Sequence, residues 1–157
     1  MQKALMIYAS MSGNTEDIAG IIKETLSGHQ IAVDCLDMDE ANADSLEAYD
    51  YVFVGTYTWG DGDLPYEAED FYEDILHSQL NGLKTACFGS GDHAYPKFCE
   101  AVTLFCDAFE QAGANLYPET LKIELAPETA EDQECCKEFV RGFLAWAAHH
   151  GDRCHVS

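Results

Sequence analysis

What constrains this chain most is an alternation. Short, almost uninterrupted apolar runs are separated by longer stretches whose apolar residues recur every three or four positions. KALMIYA (Lys3 to Ala9), IAVDCL (Ile31 to Leu36), YVFVGT (Tyr51 to Thr56), KTACFG (Lys84 to Gly89) and a weaker LKIEL (Leu121 to Leu125) read as strands. The first, third and fourth are apolar at nearly every position, as strands of a parallel sheet covered on both faces must be. Between them lie helical stripes: Ile18, Ile21, Ile22 and Thr25; Ala68, Phe71, Tyr72 and Ile75; Ala101, Phe105, Ala108, Phe109 and Ala112. A last stripe holds Cys136, Phe139, Val140, Phe143, Leu144 and Ala147. Such spacing gives each helix one face to bury. Ala41 to Tyr49 reads as a short helix or coil, and Gly28, Gly82 and Gly113 sit where helices stop. The order is β-α-β-α throughout. It predicts an α/β sandwich over residues 1–150, with a tail over 151–157 and a ligand at the carboxyl ends of the strands.

Charge narrows the partners. Eight Lys and Arg face 29 Asp and Glu, a net charge of -21, which would repel nucleic acid and anionic membranes and suits a basic protein partner. No apolar run reaches a membrane span, and the N-terminus lacks a basic-then-apolar signal pattern. The seven cysteines are then expected as reduced thiols in a cytoplasm. Cys35, Cys87, Cys99 and Cys106 lie in apolar stretches and read as core filler, and Cys135 and Cys136 are adjacent, so they cannot converge like a C-x-x-C pair. The tail HHGDRCHVS reads as a solvated terminus, and no residues are assigned to a metal.

Three loops fall at the ligand-binding edge: SMSGNT (Ser10 to Thr15), TYTWGDGDLP (Thr56 to Pro65) and SGDHAYPKFC (Ser90 to Cys99). The first has neither the G-K-[ST] ending of a triphosphate loop nor the G-x-G-x-x-G of a dinucleotide site. It offers backbone N–H groups at a helix start, the hydroxyls of Ser10, Ser12 and Thr15, the amide of Asn14, and Gly13 for close approach. With no Lys or Arg, that set suits one enclosed phosphate monoester. Trp59 and Tyr95, one on each of the other loops, fit no amphipathic stripe. Together they could sandwich a flat ring, at about 0.5–1.5 kcal/mol per stacked pair beyond area burial. Asp92 could accept from a ring N–H, while backbone N–H groups near Gly91 and Cys99 could donate to ring carbonyls. A phosphate monoester joined to a planar ring with an imide edge describes FMN.

With those motifs in view, the whole chain resembles a short-chain flavodoxin: SMSGNTEDIA resembles the family's phosphate loop, TYTWGDG its Trp-bearing loop and GSGDHAYPKFC its Tyr-bearing loop. The resemblance implies a three-layer sandwich whose five-stranded parallel sheet, in the order 2-1-3-4-5, has helices on both faces. It puts the phosphate on Ser10, Met11, Ser12, Gly13, Asn14 and Thr15, with Thr56, Tyr57 and Thr58 supporting the phosphate and ribityl chain. At Tyr57 relatives often carry a small hydroxyl instead. Trp59 would cover the inner flavin face and Tyr95 the outer, and the Gly60 carbonyl would meet N5–H. Ser90, Gly91, Asp92, Phe98 and Cys99 would line the pyrimidine side.

By the same resemblance the protein is a low-potential, one-electron carrier that cycles FMN between semiquinone and hydroquinone. Asp61, Asp63, Glu67, Glu69, Asp70, Glu73 and Asp74 would disfavour an anionic reduced flavin and steer a basic partner. A unit charge ~10 Å away at an effective dielectric of ~20 is worth about 1.7 kcal/mol before screening. The implied partners are basic-patched redox proteins: a flavin-dependent reductase as donor, and a P450 or ferredoxin-dependent enzyme as acceptor. The carrier would act as a monomer.

Two rivals are weighed. An NAD(P)H:quinone reductase of the same fold would need an open flavin face, which Trp59 and Tyr95 would close. A response-regulator-like receiver would need an acidic pair after the first strand, an Asp after the third and a Lys after the fourth. The chain has YAS, GTYT and FGS there.

Overall fold

The computed structural model describes residues 2–9, 13–58, 63–91 and 99–149. The elements are β1 (Lys3–Tyr8), α1 (Asn14–Gly28), β2 (Ala32–Asp37), β3 (Tyr51–Tyr57), α2 (Glu69–Leu76), β4 (Lys84–Gly91), α3 (Glu100–Gln111), β5 (Asn115–Leu116), β6 (Leu121–Glu124) and α4 (Ala130–His149). The link between β2 and β3 holds two short 3-10 helices, Met38–Glu40 and Ala43–Ala48, and a third, Tyr66–Ala68, leads into α2. The tail expected over 151–157 lies outside the described residues.

All strand pairs are parallel and the order is β2-β1-β3-β4-β5, as expected, with β6 also paired to β4. The fifth position is divided between two segments. Asn115 and Leu116 pair with the start of β4, Leu121 to Glu124 with its end, and Tyr117 to Thr120 intervene. The weak apolar signal at Leu121 reflected only the second segment.

The continuous apolar runs now have their reason. Alternate residues of one strand enter opposite cores: Leu5, Ile7, Val52, Val54 and Cys87 pack under α2 and α3. Ala4, Met6, Tyr51, Phe53, Ala86 and Phe88 pack under α1 and α4. The second core is aromatic at its centre, where Phe143 of α4 meets Phe53 at 4.7 Å and Tyr51 at 5.2 Å between ring centroids. Gly142 admits Tyr117, whose hydroxyl would lie 2.3 Å from any added Cβ.

Two readings change. Cys35 is exposed, not core, because β2 is an edge strand with no continuous cover. In α1 the buried stripe is Thr15, Ile18, Ala19, Ile22 and Leu26, while Ile21 and Thr25 are only half buried and Thr25 Oγ1 donates back to the Ile21 carbonyl. That helix ends at Gly28, as expected, and the left-handed residue just beyond it is Gln30, at φ 64°. Ile31 N–H donates to Leu26 O and Gln30 N–H to Ser27 O, the paired bonds of a Schellman stop. α3 stops in the same way with Gly113 in the left-handed position, at φ 87°. A side chain at such an angle is disfavoured, and Gln30 is exposed. Gln30→Gly is therefore expected to stabilise the protein by about 0.5–1 kcal/mol, read as a higher urea midpoint. No gain would show that Gln30 rests there without strain.

Candidate functional site at the carboxyl edge of the sheet

β1, β3 and β4 end at one edge, and the three loops singled out above leave from Tyr8, Tyr57 and Gly91. Ser10, Met11, Ser12, Trp59, Gly60, Asp92, Tyr95 and Phe98 lie outside the described residues. The frame that carries those loops is described, and it is built from hydroxyls.

Gly13 stands before α1 in the left-handed region, φ 89°, with nothing within 4 Å of where a Cβ would be. Gly13, at the N-cap of α1, has no side chain to offer the first N–H groups of that helix. The first N–H groups of that helix therefore point toward the edge without an intrahelical partner, beside the positive end of the helix dipole. Thr15, one residue into α1 and 1% exposed, shares a 2.8 Å hydrogen bond between its Oγ1 and the Oγ of Ser90. Ser90 and Gly91 belong to β4 rather than to the loop, because the pairing with β3 continues through Tyr57 and Ser90. The Thr15–Ser90 bond ties the start of α1 to the sheet.

Thr56 is buried and its hydroxyl donates to the Tyr57 carbonyl at 2.8 Å. Thr58 accepts from the Ala101 N–H at 3.0 Å, so its hydroxyl caps α3 from another loop. α3 needs that help: Cys99, at its N-cap, has φ 55° and offers no side-chain cap. Cys99 is buried, which pushes its thiol up to about 12 despite the opposing charge of Lys122, so at this rim it is a neutral packing group.

Tyr57 does not reach toward α1. Its hydroxyl donates to both oxygens of Glu67, at 3.0 and 3.3 Å, closing the chain on either side of the Trp-bearing loop. Burial, then the bond to Glu67, raise the tyrosine to about 12. A tyrosine raised from 10 favours the fold fully below pH 10, and that contribution fades between pH 10 and about 12. Tyr57→Phe is expected to cost about 1.5 kcal/mol at pH 7, the lower range for a hydrogen bond to a charged group. Loss of the same stability in both proteins between pH 10 and 12 would show that Tyr57 is not the titrating group.

Sequence reasoning missed the Thr15–Ser90, Thr58–Ala101 and Tyr57–Glu67 links, whose partners lie far apart in the chain. The arrangement can hold a phosphate by dipoles and neutral donors. Among the described residues an acidic group suited to a metal occurs only at Asp37, Asp39 and Glu40, all exposed, at the carboxyl end of β2 where Asp37 stands in register with Tyr8 of β1.

A family model described as flavodoxin matches residues 6–139. Probable flavodoxin 1 of Bacillus subtilis (strain 168) is 64% identical over 158 residues, covering all of both chains. The crystal structure of oxidised flavodoxin 2 from Bacillus cereus shares 51% identity at a TM-score of 0.89, covering 92% of this chain and 99% of that one. A short-chain flavodoxin associated with a bacterial microcompartment is 34% identical, also at a TM-score of 0.89, over 94% of this chain and 99% of its own.

Proposed function

The chain belongs to the flavodoxin family, and from that premise we infer that its flavin is FMN, bound without a covalent link and worked in single-electron steps between semiquinone and hydroquinone. Members of the family are electron-transfer proteins rather than enzymes, and this chain is accordingly a flavin-binding electron carrier. FMN supplies the one-electron chemistry; the protein supplies binding, orientation and charge.

The observation that carries the choice of FMN is the start of α1 behind left-handed Gly13, which brings no side chain of its own. It presents N–H donors where Thr15 and Ser90 meet, and the loop between β1 and α1 brings no Lys or Arg. Those features suit the single phosphate monoester of FMN. Trp59 and Tyr95 are proposed to cover the two faces of the ring, with Gly60, Asp92, Phe98 and Cys99 along its polar edges and Ser10, Met11, Ser12, Gly13, Asn14 and Thr15 on the phosphate.

The rim supports contact with a basic protein. Tyr66 is 87% exposed and Leu125 51%, both at the carboxyl edge, and Asp63, Glu69 and Asp70 are exposed nearby in sequence. Two apolar side chains within an acidic margin fit a partner whose basic rim surrounds an apolar patch. Within that class we place a flavin-dependent reductase as donor and a P450 or ferredoxin-dependent enzyme as acceptor. No helix of the described residues is long and apolar enough to cross a membrane. A cytoplasmic, monomeric carrier is the proposal.

The deciding experiment is a visible spectrum during stepwise anaerobic reduction. A flavin spectrum that passes through a blue neutral radical before bleaching is the expected result. Direct two-electron bleaching, above all by NAD(P)H alone, would move the protein to the quinone-reductase reading.

A further inference from the structure

α3 lies close to β4 at Gly89, where an added Cβ would come within 2.4 Å of Val102 Cγ2. The helix runs against the strand direction. From Gly89 back to Cys87 is about 6.6 Å along β4, and from Val102 on to Cys106 about 6 Å along α3. These matched steps set Cys106 over Cys87, and the two thiols hydrogen-bond. Cys87 is 1% exposed and Cys106 8%, so solvent reaches the pair from the side of Cys106. Lys122 of β6 donates to Thr103 Oγ1 at 3.3 Å, one helical turn before Cys106, which brings a cation to the same flank.

We propose that Cys106 and Cys87 form a peroxide-responsive dithiol, with Cys106 the attacking sulfur and Cys87 the resolving one. The Cys106 thiolate attacks one oxygen of a hydroperoxide. The O–O bond breaks, the other oxygen leaves as the alcohol after taking a proton, and Cys106 becomes a sulfenic acid. Cys87 sulfur then displaces that hydroxyl, which leaves as water with the Cys87 proton, and the S–S bond closes. Two thiols have lost two electrons and two protons; the hydroperoxide has become alcohol and water.

The two sulfurs are unequal in the required sense. The hydrogen bond from Cys87 holds the Cys106 thiol below its ordinary range, and Lys122 assists, against burial and the nearby Asp107 and Glu110. The partner bond and burial hold Cys87 well above that range, so it waits as the protonated thiol. Exposed Cys35 and Cys135 provide internal controls.

The test treats the full-length protein, flavin oxidised, with hydrogen peroxide, blocks remaining thiols with iodoacetamide, and maps peptides without reduction. Expected is a Cys87–Cys106 cross-linked peptide that dithiothreitol releases, formed at peroxide levels that leave Cys99 and Cys136 free. Before oxidation, Cys106 should alkylate at least about 10-fold faster than Cys99, as a thiol lowered in one case and raised in the other requires. In Cys87→Ala, dimedone should trap the sulfenic acid on Cys106. Free Cys106 at peroxide levels that oxidise Cys35 and Cys135 would overturn the proposal, as would oxidation of Cys106 to the sulfinic acid while Cys87 stays free. If Cys87→Ala does not fold, the map of the unaltered protein decides by itself.

Discussion

Gly89→Ala should lower the stability of this protein by about 3 kcal/mol, the upper range for forcing extra volume into a packed core. In a chain of this size that is a fall of about 6–12 °C in Tm. A Cβ at Gly89 would lie 2.2 Å from the Thr56 carbonyl oxygen and 2.4 Å from Val102 Cγ2. The first neighbour is backbone of the adjoining strand, in register with Gly89, and cannot rotate away. β3 and α3 must both move. Gly20→Ala supplies the contrast: Gly20 is exposed in α1 with nothing within 4 Å of the added atom. There the same methyl should stabilise by about 1 kcal/mol through helix propensity. Equal effects from the two substitutions, read by urea titration, would mean that α3 does not press on Gly89.

Riboflavin, which lacks the phosphate, should bind the flavin-stripped protein at least about 100-fold more weakly than FMN. Losing two charge-assisted hydrogen bonds at about 1.5 kcal/mol each is sufficient for that difference. The salt dependence carries more information than the ratio. A phosphate held by Lys or Arg binds more weakly as salt rises. Here the loop before α1 has no cation and the chain carries a net charge of -21, so on the proposed reading an anionic ligand would be repelled at long range and held at short range by dipoles. Added salt screens the repulsion more than the dipoles, and FMN affinity should rise. Fluorescence titration at low and high ionic strength measures it. Affinity that falls with salt would place a cation on the phosphate.

The fold was legible because both faces of the sheet are covered. That leaves Leu5 to Ile7, Val52 to Val54 and Ala86 to Phe88 apolar at consecutive positions, a pattern a half-exposed strand would not show. Cys35 misled for the converse reason, since an edge strand carries apolar residues that nothing covers. The left-handed stop at Gln30 was hidden because glycine is preferred there, not required. In the site, the helix start behind Gly13 was readable from SMSGNT, since those residues are neighbours in sequence. The bonds that brace it were not. Thr15 meets Ser90 across 75 positions and Thr58 meets Ala101 across 43, distances over which no local periodicity speaks. The Tyr57–Glu67 bond, ten positions apart, was hidden in the same way.

The divided fifth position of the sheet bears on how such a protein survives at high concentration. An unbroken outer strand offers a row of unpaired N–H and C=O groups to any second copy. Here Tyr117 to Thr120 interrupt that row, and Pro118 among them has no N–H to give. The opposite edge, β2, presents exposed Asp34 and Asp37. Both flanks thus discourage strand-to-strand aggregation, one by discontinuity and the other by repulsion.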